Sequence, residues 1–334
     1  MRRSTAAASR ALPTASWHVR LAGLEPRLYE NLASFCDQDY PQVFEVVFSL
    51  HAQNDPAMEV AERIVREFPG CRARIALGEN ARLMNPKIAN IAKPGVAAEG
   101  DVVVIADSDI RVGRDYLRAL ASSFETATVG AATCLHSGDP NGTVVSRLGA
   151  LGIDDGFAPP VLVALAIREL RFCLGATMAV RRSVLEALGG LEALGQTFAD
   201  DHRLGQLIAK QGYRVALSRY PVATAIPETR LSDLLAHELR WARNSFELAP
   251  AGYLFSFLSY GLPLALIALA VTGNVTLGLP LLAVVIVLRV ALHDLSRRAL
   301  RVTSSDDVAL IPLRDFLSLG VWATSLFGRR RSFR

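Results

Sequence analysis

The chain has 334 residues, 51% of them hydrophobic, with a mean hydropathy of +0.27 and a formal net charge of +4. That length suits one large domain or two small ones. From Arg289 onward there are nine Arg against four Asp, and the first twenty residues hold four Arg and no acid, so the middle is net acidic. A nucleic-acid binder would carry its basic stripe on the folded domain, so nucleic acid is excluded as a partner.

Residues 1–20 are rich in Arg, Ala and Ser, as transit peptides and disordered tails are, and read as a basic tail. Glu25-Pro26 opens a helix over residues 25–35, with Leu28, Leu32 and Phe35 on one face. Tyr40-Pro41 breaks it, and Phe44–Leu50 reads as a buried strand. Asp55 at the N-cap and Pro56 at N1 start a helix that runs to residue 68. A short strand at 74–77, a helix at Pro86–Ile91 and a strand at Val102–Ala106 follow. Further on, helices are predicted at 116–124, 182–188, 202–210 and 231–246, and strands at 129–134, 177–180 and 213–217. Strand and helix alternating in this way predict a parallel or mostly parallel sheet. Cys36, Cys71, Cys134 and Cys173 are too widely spaced to suggest zinc or a disulfide framework, and read as reduced, mostly buried thiols.

Residues 253–273 contain no charge, nor do residues 274–288. A helix needs ~20 residues, at ~1.5 Å each, to cross ~30 Å of hydrocarbon. The Gly273-Asn274-Val275 junction suggests a helical hairpin over residues 251–292; two buried helices in a soluble core are the alternative. Arg297, Arg298 and Arg301 follow it, so both hairpin ends, and the domain at 21–250, are expected in the cytoplasm. In the remaining segment, 293–334, residues 308–327 are apolar but interrupted by Arg314, Ser318 and Ser325 near one face. An amphipathic helix lying in the interface fits that pattern. A third span would place Arg329-Arg330-Arg331 outside, against the positive-inside rule.

The run Val102-Val103-Val104-Ile105-Ala106 stops at Asp107-Ser108-Asp109. Ligands of open α/β sheets bind at the carboxyl ends of such strands. Two carboxylates there suit a hard cation, and a hard cation suits a diphosphate. Asn54-Asp55-Pro56 follows another strand, and Asp55 either caps the helix or accepts from a nucleobase or ribose. Lys87, after Asn85-Pro86, either neutralises phosphate or is a solvated surface residue. Asp200-Asp201 either caps the next helix or supplies a general base near an acceptor hydroxyl. His237-Glu238-Leu239-Arg240-Trp241 fails the zinc-protease pattern at Trp241. It reads as an amphipathic helix, or as a place where Arg240 meets a leaving diphosphate and Trp241 an acceptor.

These five motifs, in this order before an apolar hairpin, resemble the family 2/21 glycosyltransferases over roughly residues 21–260. The likeness is to ceramide glucosyltransferases and, most closely, to bacterial hopanoid-biosynthesis glycosyltransferases. It is carried there by Glu25-Pro26-Arg27-Leu28-Tyr29-Glu30-Asn31-Leu32, Ala106-Asp107-Ser108-Asp109-Ile110-Arg111-Val112 and Arg147-Leu148-Gly149-Ala150-Leu151.

The resemblance implies a GT-A fold, a Rossmann-like α/β nucleotide-diphospho-sugar domain followed by C-terminal transmembrane helices. It implies Asp55 on the uracil side of a UDP-sugar, Asp107 and Asp109 holding Mg²⁺ or Mn²⁺ with the diphosphate, and Asp201 as base. Arg240 and Trp241 match the closing (Q/R)xxRW motif, with His237 in the first place. The implied reaction is inverting transfer of N-acetylglucosamine to bacteriohopanetetrol at the bacterial inner membrane, by a multi-pass protein with its catalytic domain in the cytoplasm. A ceramide-type lipid glucosyltransferase is the alternative. Family members carry an amino-terminal membrane helix and a strand like V-S-V-L-K-P-L where this chain has residues 15–21. That departure predicts a damaged or missing first strand, and motivates a second alternative, a catalytically dead membrane scaffold.

Overall fold

The computed structural model describes residues 12–93, 99–303 and 307–327. The outermost basic residues of both tails, within 1–11 and 328–334, lie outside the described residues. In chain order the first half comprises β1 (Ala15–Arg20), α1 (Leu28–Cys36), β2 (Phe44–Leu50), α2 (Ala57–Glu67), β3 (Arg72–Leu77), α3 (Pro86–Ile91), β4 (Val102–Ala106), β5 (Ile110–Arg111), α4 (Tyr116–Ser122) and β6 (Val129–Pro140). There follow α5 (Val144–Leu151), a π-helical turn (Gly152–Phe157), α6 (Ala158–Ile167), β7 (Thr177–Arg181), α7 (Arg182–Ala187), α8 (Asp200–Lys210), β8 (Arg214–Ile226) and α9 (Leu231–Leu248). The last helices are α10 (Pro250–Phe255), α11 (Gly261–Thr272), α12 (Val275–Leu300) and α13 (Ile311–Leu326).

Two compact units result: a sheet unit, Met1–His136 with Val163–Ala225, and a helical unit, Ser137–Leu162 with Ile226–Arg334. This division departs from the expected one. β1 lies inside the stretch read as tail, and residues 137–162 and 226–250 group with the C-terminal helices.

The sheet has eight strands in the order β3-β2-β1-β4-β7-β6-β8-β5. β3, β2, β1 and β4 pair in parallel, whereas β7 pairs antiparallel with both β4 and β6. The expected parallel character therefore holds for one half only. β4 is buried at every position, which is why its residues form a continuous apolar run.

The first strand is present and central, which overturns the expectation of a damaged one. β1 pairs with β2 on one side and β4 on the other. Its alternate residues Ala15, Trp17 and Val19 enter the larger core, where the Trp17 ring lies 4.5 Å from Phe35 and 5.0 Å from Tyr116. Ser16 and His18 face the other way and are nonetheless fully buried. Ser16 Oγ is satisfied, donating to Glu45 and accepting from the N–H groups of Glu99 and Gly100. Both ring nitrogens of His18 lack partners, and burial pushes its pKa down to about 4. These two polar residues hide the strand from a search for apolar runs.

The thiols of Cys36 and Cys71 are close neighbours, a pairing invisible in their spacing, and all four cysteines are free. Register places the carboxyl ends of the parallel strands together: Arg20 pairs with Ser49, and Val19 with Ala106. Because β7 runs the other way, Thr177 pairs with Ala106, so the chain entering β7 arrives at the same edge.

The helical unit holds the apolar helices. α12 has 26 residues with none of its apolar window buried, and is long enough to cross a bilayer. The first hairpin arm is not one straight helix: Pro250–Ser259 and Gly261–Thr272 meet at a 66° bend. Gly273 (φ 62°) ends α11, and the Asn274 side chain caps α12 by accepting from Leu277 N–H. α12 continues to Leu300, so Arg297 and Arg298 sit in its last turn rather than after it. Val144–Ile167 is a further helix of membrane-spanning length that the charges Arg147, Asp154 and Asp155 conceal in the sequence.

In α13 the residues Arg314, Asp315 and Ser325 are buried, while Leu313 and Phe316 are exposed. The polar face expected to meet water instead turns into the protein. An apolar exterior over a polar interior is the pattern of a lipid-facing surface.

His18 carries a stability prediction. Its folded pKa is lowered, so the unfolded chain takes up the proton first, and stability is lost as pH falls from about 6.5 towards about 4. That loss is roughly 3 kcal/mol by the end of the window. Thermal denaturation of detergent-solubilised protein from pH 7 to pH 4.5 should show a falling midpoint, and His18→Leu should flatten it. An unchanged slope in the variant would remove His18 as the source.

Candidate active site

The turn after β4 is fixed before any side chain acts. Asp107 N–H donates to Ala176 O at 3.1 Å, and Asn31 Nδ2 from α1 donates to Ser108 O at 3.1 Å. The Asp107 carboxylate lies 2.6 Å from Lys87 Nζ and is 41% exposed. Lys87 stands in the first turn of α3, which Asn85 and Pro86 start. Asn85 Oδ1 accepts from the N–H groups of Lys87 (2.9 Å) and Ile88 (3.2 Å), as an N-cap does. Its Nδ2 reaches Thr197 O (2.9 Å) and Asp200 Oδ1 (3.2 Å). One amide thus starts the helix that presents Lys87 and holds a second carboxylate beside it.

Asp200 and Asp201 form the first turn of α8 rather than preceding it. Asp201 Oδ1 accepts from His202 N–H at 2.7 Å, and its backbone carbonyl accepts from Cys173 N–H at 3.1 Å. A Cβ at Gly175 would stand 3.3 Å from Asp201 Oδ2, and Lys87 Nζ donates to Gly175 O at 3.0 Å. The missing side chain at 175 leaves the space in which carboxylate and ammonium both approach.

Electrostatics bind these groups into one cluster. Burial alone would lower the Lys87 pKa, but the charges of Asp107, Asp200 and Asp201 overcome it and raise it. Asp201 is raised by burial and then by Asp200; Asp200 is raised by burial, with Asp107 adding to it. Asp109 is raised most plainly, by burial and then by Asp107 and Glu25. Asp109 Oδ1 and Asp200 Oδ2 are buried without a hydrogen-bond partner.

Asp55 performs its capping role, accepting from Ala57 N–H at 2.9 Å, and also holds Gly23 N–H in the loop after β1 at 2.9 Å. It lines a cavity of about 350 Å³ with Arg20, His51, Glu79, Pro86 and Asn90. Pro86, the neighbour of Lys87 in the chain, lies on the cavity wall, while none of the clustered carboxylates does. A larger hollow of about 720 Å³ lies at the amino ends of β1 and β4, near Pro13, Asp101 and Arg182, and none of the sequence-predicted residues line it.

Three residues escaped the sequence reading. The Glu25 carboxyl is raised by burial, hydrogen-bonds Ser108 and feels Asp107, which adds a third acid to the Asp-Ser-Asp turn. Glu25 follows β1, the strand that the sequence hides, so no signal marked it. Asn85 was readable as an N-cap but not as a partner for Asp200. His136 is buried, with a pKa pushed down to about 4 by burial against the pull of Asp107, and nothing in the sequence marked it.

Among the described residues no group of three or more His, Cys, Asp or Glu forms a ready-made metal cage. A cation of the Mg²⁺ type needs less, since it is commonly bound by one or two carboxylates plus substrate phosphates. The buried, unpartnered Asp109 oxygen and the half-exposed Asp107 carboxylate fit that requirement.

Arg240 and Trp241 belong to the helical unit, on α9, and both are exposed. On the same helix Glu238 pairs with Arg314, which also donates to Leu148 O at 3.2 Å. Lys87, Asp107, Asp109 and Asp201 come together in the sheet unit, and Asp55 lies in the same unit on the wall of its own cavity.

"Ceramide glucosyltransferase 3" of Caenorhabditis elegans is 24% identical over 278 residues, 82% of this chain and 60% of that protein. An "N-acetylglucosaminyltransferase" of Rhizobium meliloti is 30% identical over 229 residues, 64% of this chain and 51% of its own length. The chain thus spans about half to three-fifths of these relatives. Among solved structures, a mannosyltransferase from Pyrobaculum calidifontis, in complex with GDP-Man and Mn²⁺, superposes with a TM-score of 0.56 at 19% identity, over 94% of this chain and 87% of that one. That likeness shows a GT-A-like fold. The model for "Glycosyl transferase family 21" matches residues 2–334, and the chain belongs to that family of glycosyltransferases.

Proposed function

We propose that the protein transfers N-acetylglucosamine from its UDP donor to the hydroxyl of a membrane lipid of the hopanoid class, in a bacterial inner membrane. The observation that carries the reading is the single cluster in which Lys87 meets Asp107, Asp200 and Asp201 beside Asp109. The Rhizobium relative's name supports the sugar, and the ceramide glucosyltransferases support a lipid acceptor. The apolar exterior of the helical unit supports acceptor entry from a bilayer.

In this proposal the cavity beside Asp55 takes the nucleoside. Asp107 and Asp109 would hold Mg²⁺ or Mn²⁺, and a cation there would offset charge on the departing diphosphate. Lys87 holds Asp107 in place and keeps the site's negative charge tolerable. Asp201 takes the proton of the acceptor hydroxyl as its oxygen attacks the anomeric carbon. Burial raises Asp201 towards the working pH, as a general base requires. A single displacement inverts the anomeric configuration. Arg240 and Trp241 keep the roles that the resemblance gives them. A ceramide-type glucosyltransferase is the second reading, favoured by the names of several relatives. The scaffold alternative loses its motive, because β1 is intact.

Asp201→Asn should cut turnover by about 100-fold or more while UDP binding stays within a few-fold, read by product formation and calorimetry. Equal turnover would remove Asp201 from the base role. Asp109→Asn should abolish the part of UDP binding that depends on added Mn²⁺; metal-independent binding of equal strength in both proteins would remove Asp109 as a ligand. Membranes containing the protein, given separate UDP-sugars and a bacterial lipid extract, should yield an N-acetylhexosamine adduct of a hopanoid tetrol by mass spectrometry. A hexosylceramide in a parallel ceramide incubation would favour the second reading, and no glycolipid from any donor would end both.

A further inference from the structure

Glu228 lies in the turn between β8 and α9. Asn141 Nδ2 donates to Pro227 O at 3.1 Å, and Thr143 Oγ1 reaches Glu228 O at 3.5 Å, so the turn is tied to the start of α5. The Glu228 side chain is only 11% exposed, and its Oε1 lies 2.6 Å from His237 Nδ1. His237 holds the carboxyl of Glu228 below its usual range. An ionised carboxylate can only accept, so the His237 Nδ1 carries the hydrogen of this bond. One helical turn on, the His237 ring meets the Trp241 ring edge to face, with centroids 4.4 Å apart.

Trp241 is 44% exposed. An indole so exposed would sample several rotamers without a neighbour to restrain it. Here the restraint runs inward: indole against imidazole, imidazole against a largely buried carboxylate, carboxylate on a pinned turn. The neighbouring Glu238 is committed to Arg314 and takes no part.

We propose that Glu228 and His237 are positioning residues which together hold the exposed indole of Trp241 ready for the acceptor. The inference rests on the function proposed above for the role of Trp241, while the restraint itself does not. A side chain with an N–H at the same reach should substitute for imidazole, so glutamine at 237 is the conservative replacement, and glutamine at 228 still accepts through its amide oxygen.

The test uses the full chain in detergent micelles. The emission of Trp241 is isolated by subtracting the spectrum of Trp241→Phe. In His237→Ala and Glu228→Ala that emission should shift to the red and quench more readily with acrylamide, and His237→Gln and Glu228→Gln should restore most of the wild-type behaviour. With UDP-N-acetylglucosamine and bacteriohopanetetrol as probes, the two alanine variants should raise the acceptor KM by roughly tenfold to a hundredfold, leaving the donor KM within about twofold. Placed in Trp241→Ala, neither substitution should add a further loss, as expected of residues acting through the indole. An unchanged Trp241 spectrum in both alanine variants, or a loss that adds in full to that of Trp241→Ala, would overturn the proposal. A spectral response in a protein that glycosylates neither lipid would leave the restraint standing and fell the proposed reaction instead.

Discussion

The arrangement at the strand ends depends on one ammonium group among carboxylates. Lys87 is largely withdrawn from water, which by itself disfavours its charge, and three aspartates restore it. The balance is lopsided: Asp107, Asp200 and Asp201 share one cation, and Asp109 and Glu25 stand just beyond. Coulomb attraction rarely repays the desolvation of so many charges. Asp109, Asp200, Asp201 and Glu25 respond as buried acids do, with raised proton affinities. Such a site has a deficit of positive charge built into it, and a ligand that brings a cation relieves the deficit.

Geometry follows from the sheet. The parallel half aligns the ends of β1, β2 and β4, and the reversal at β7 brings a fourth chain segment to the same edge from the opposite direction. That reversal is why Gly175 and Ala176 stand where Lys87 and Asp107 need carbonyl partners. It also explains why residues separated by more than a hundred positions, Asn85 and Asp200 among them, share a hydrogen bond.

The legible parts of this molecule were those in which chemistry and pattern coincide. The five-residue apolar run of β4 announces both a buried strand and the acids at its end. Asn85-Pro86 announces a helix start, and with it the placing of Lys87. Illegible parts were those where burial overrides pattern. β1 carries Ser16 and His18 in its interior, one satisfied by hydrogen bonds and one left neutral and unpaired. The helix over Val144–Ile167 carries Arg147, Asp154 and Asp155, which break the charge-free signature of a span. In the fold Arg147 meets Asp307, and Asp155 meets Arg289 and His293. Pairings of that kind, like the thiol contact of Cys36 with Cys71, come from tertiary neighbours that no local window contains.

The helical unit obeys the same rule with solvent exchanged. Arg289 of α12 is bound on both sides, by Asp155 at 2.9 Å and Asp315 at 3.0 Å. Ionisable groups in apolar helices persist when they face the interior and find partners, and these do. α9 is anchored by Glu238 through Arg314, a residue whose neighbour Asp315 takes part in the Arg289 pairing. The ionic contacts therefore form one connected framework through α9, α12, α13 and the π-helical turn, and α9 carries the Arg240-Trp241 motif on it. Side chains on a helix fixed in this way keep their places more accurately than those on a loop, which is what the role proposed for Arg240 and Trp241 would require.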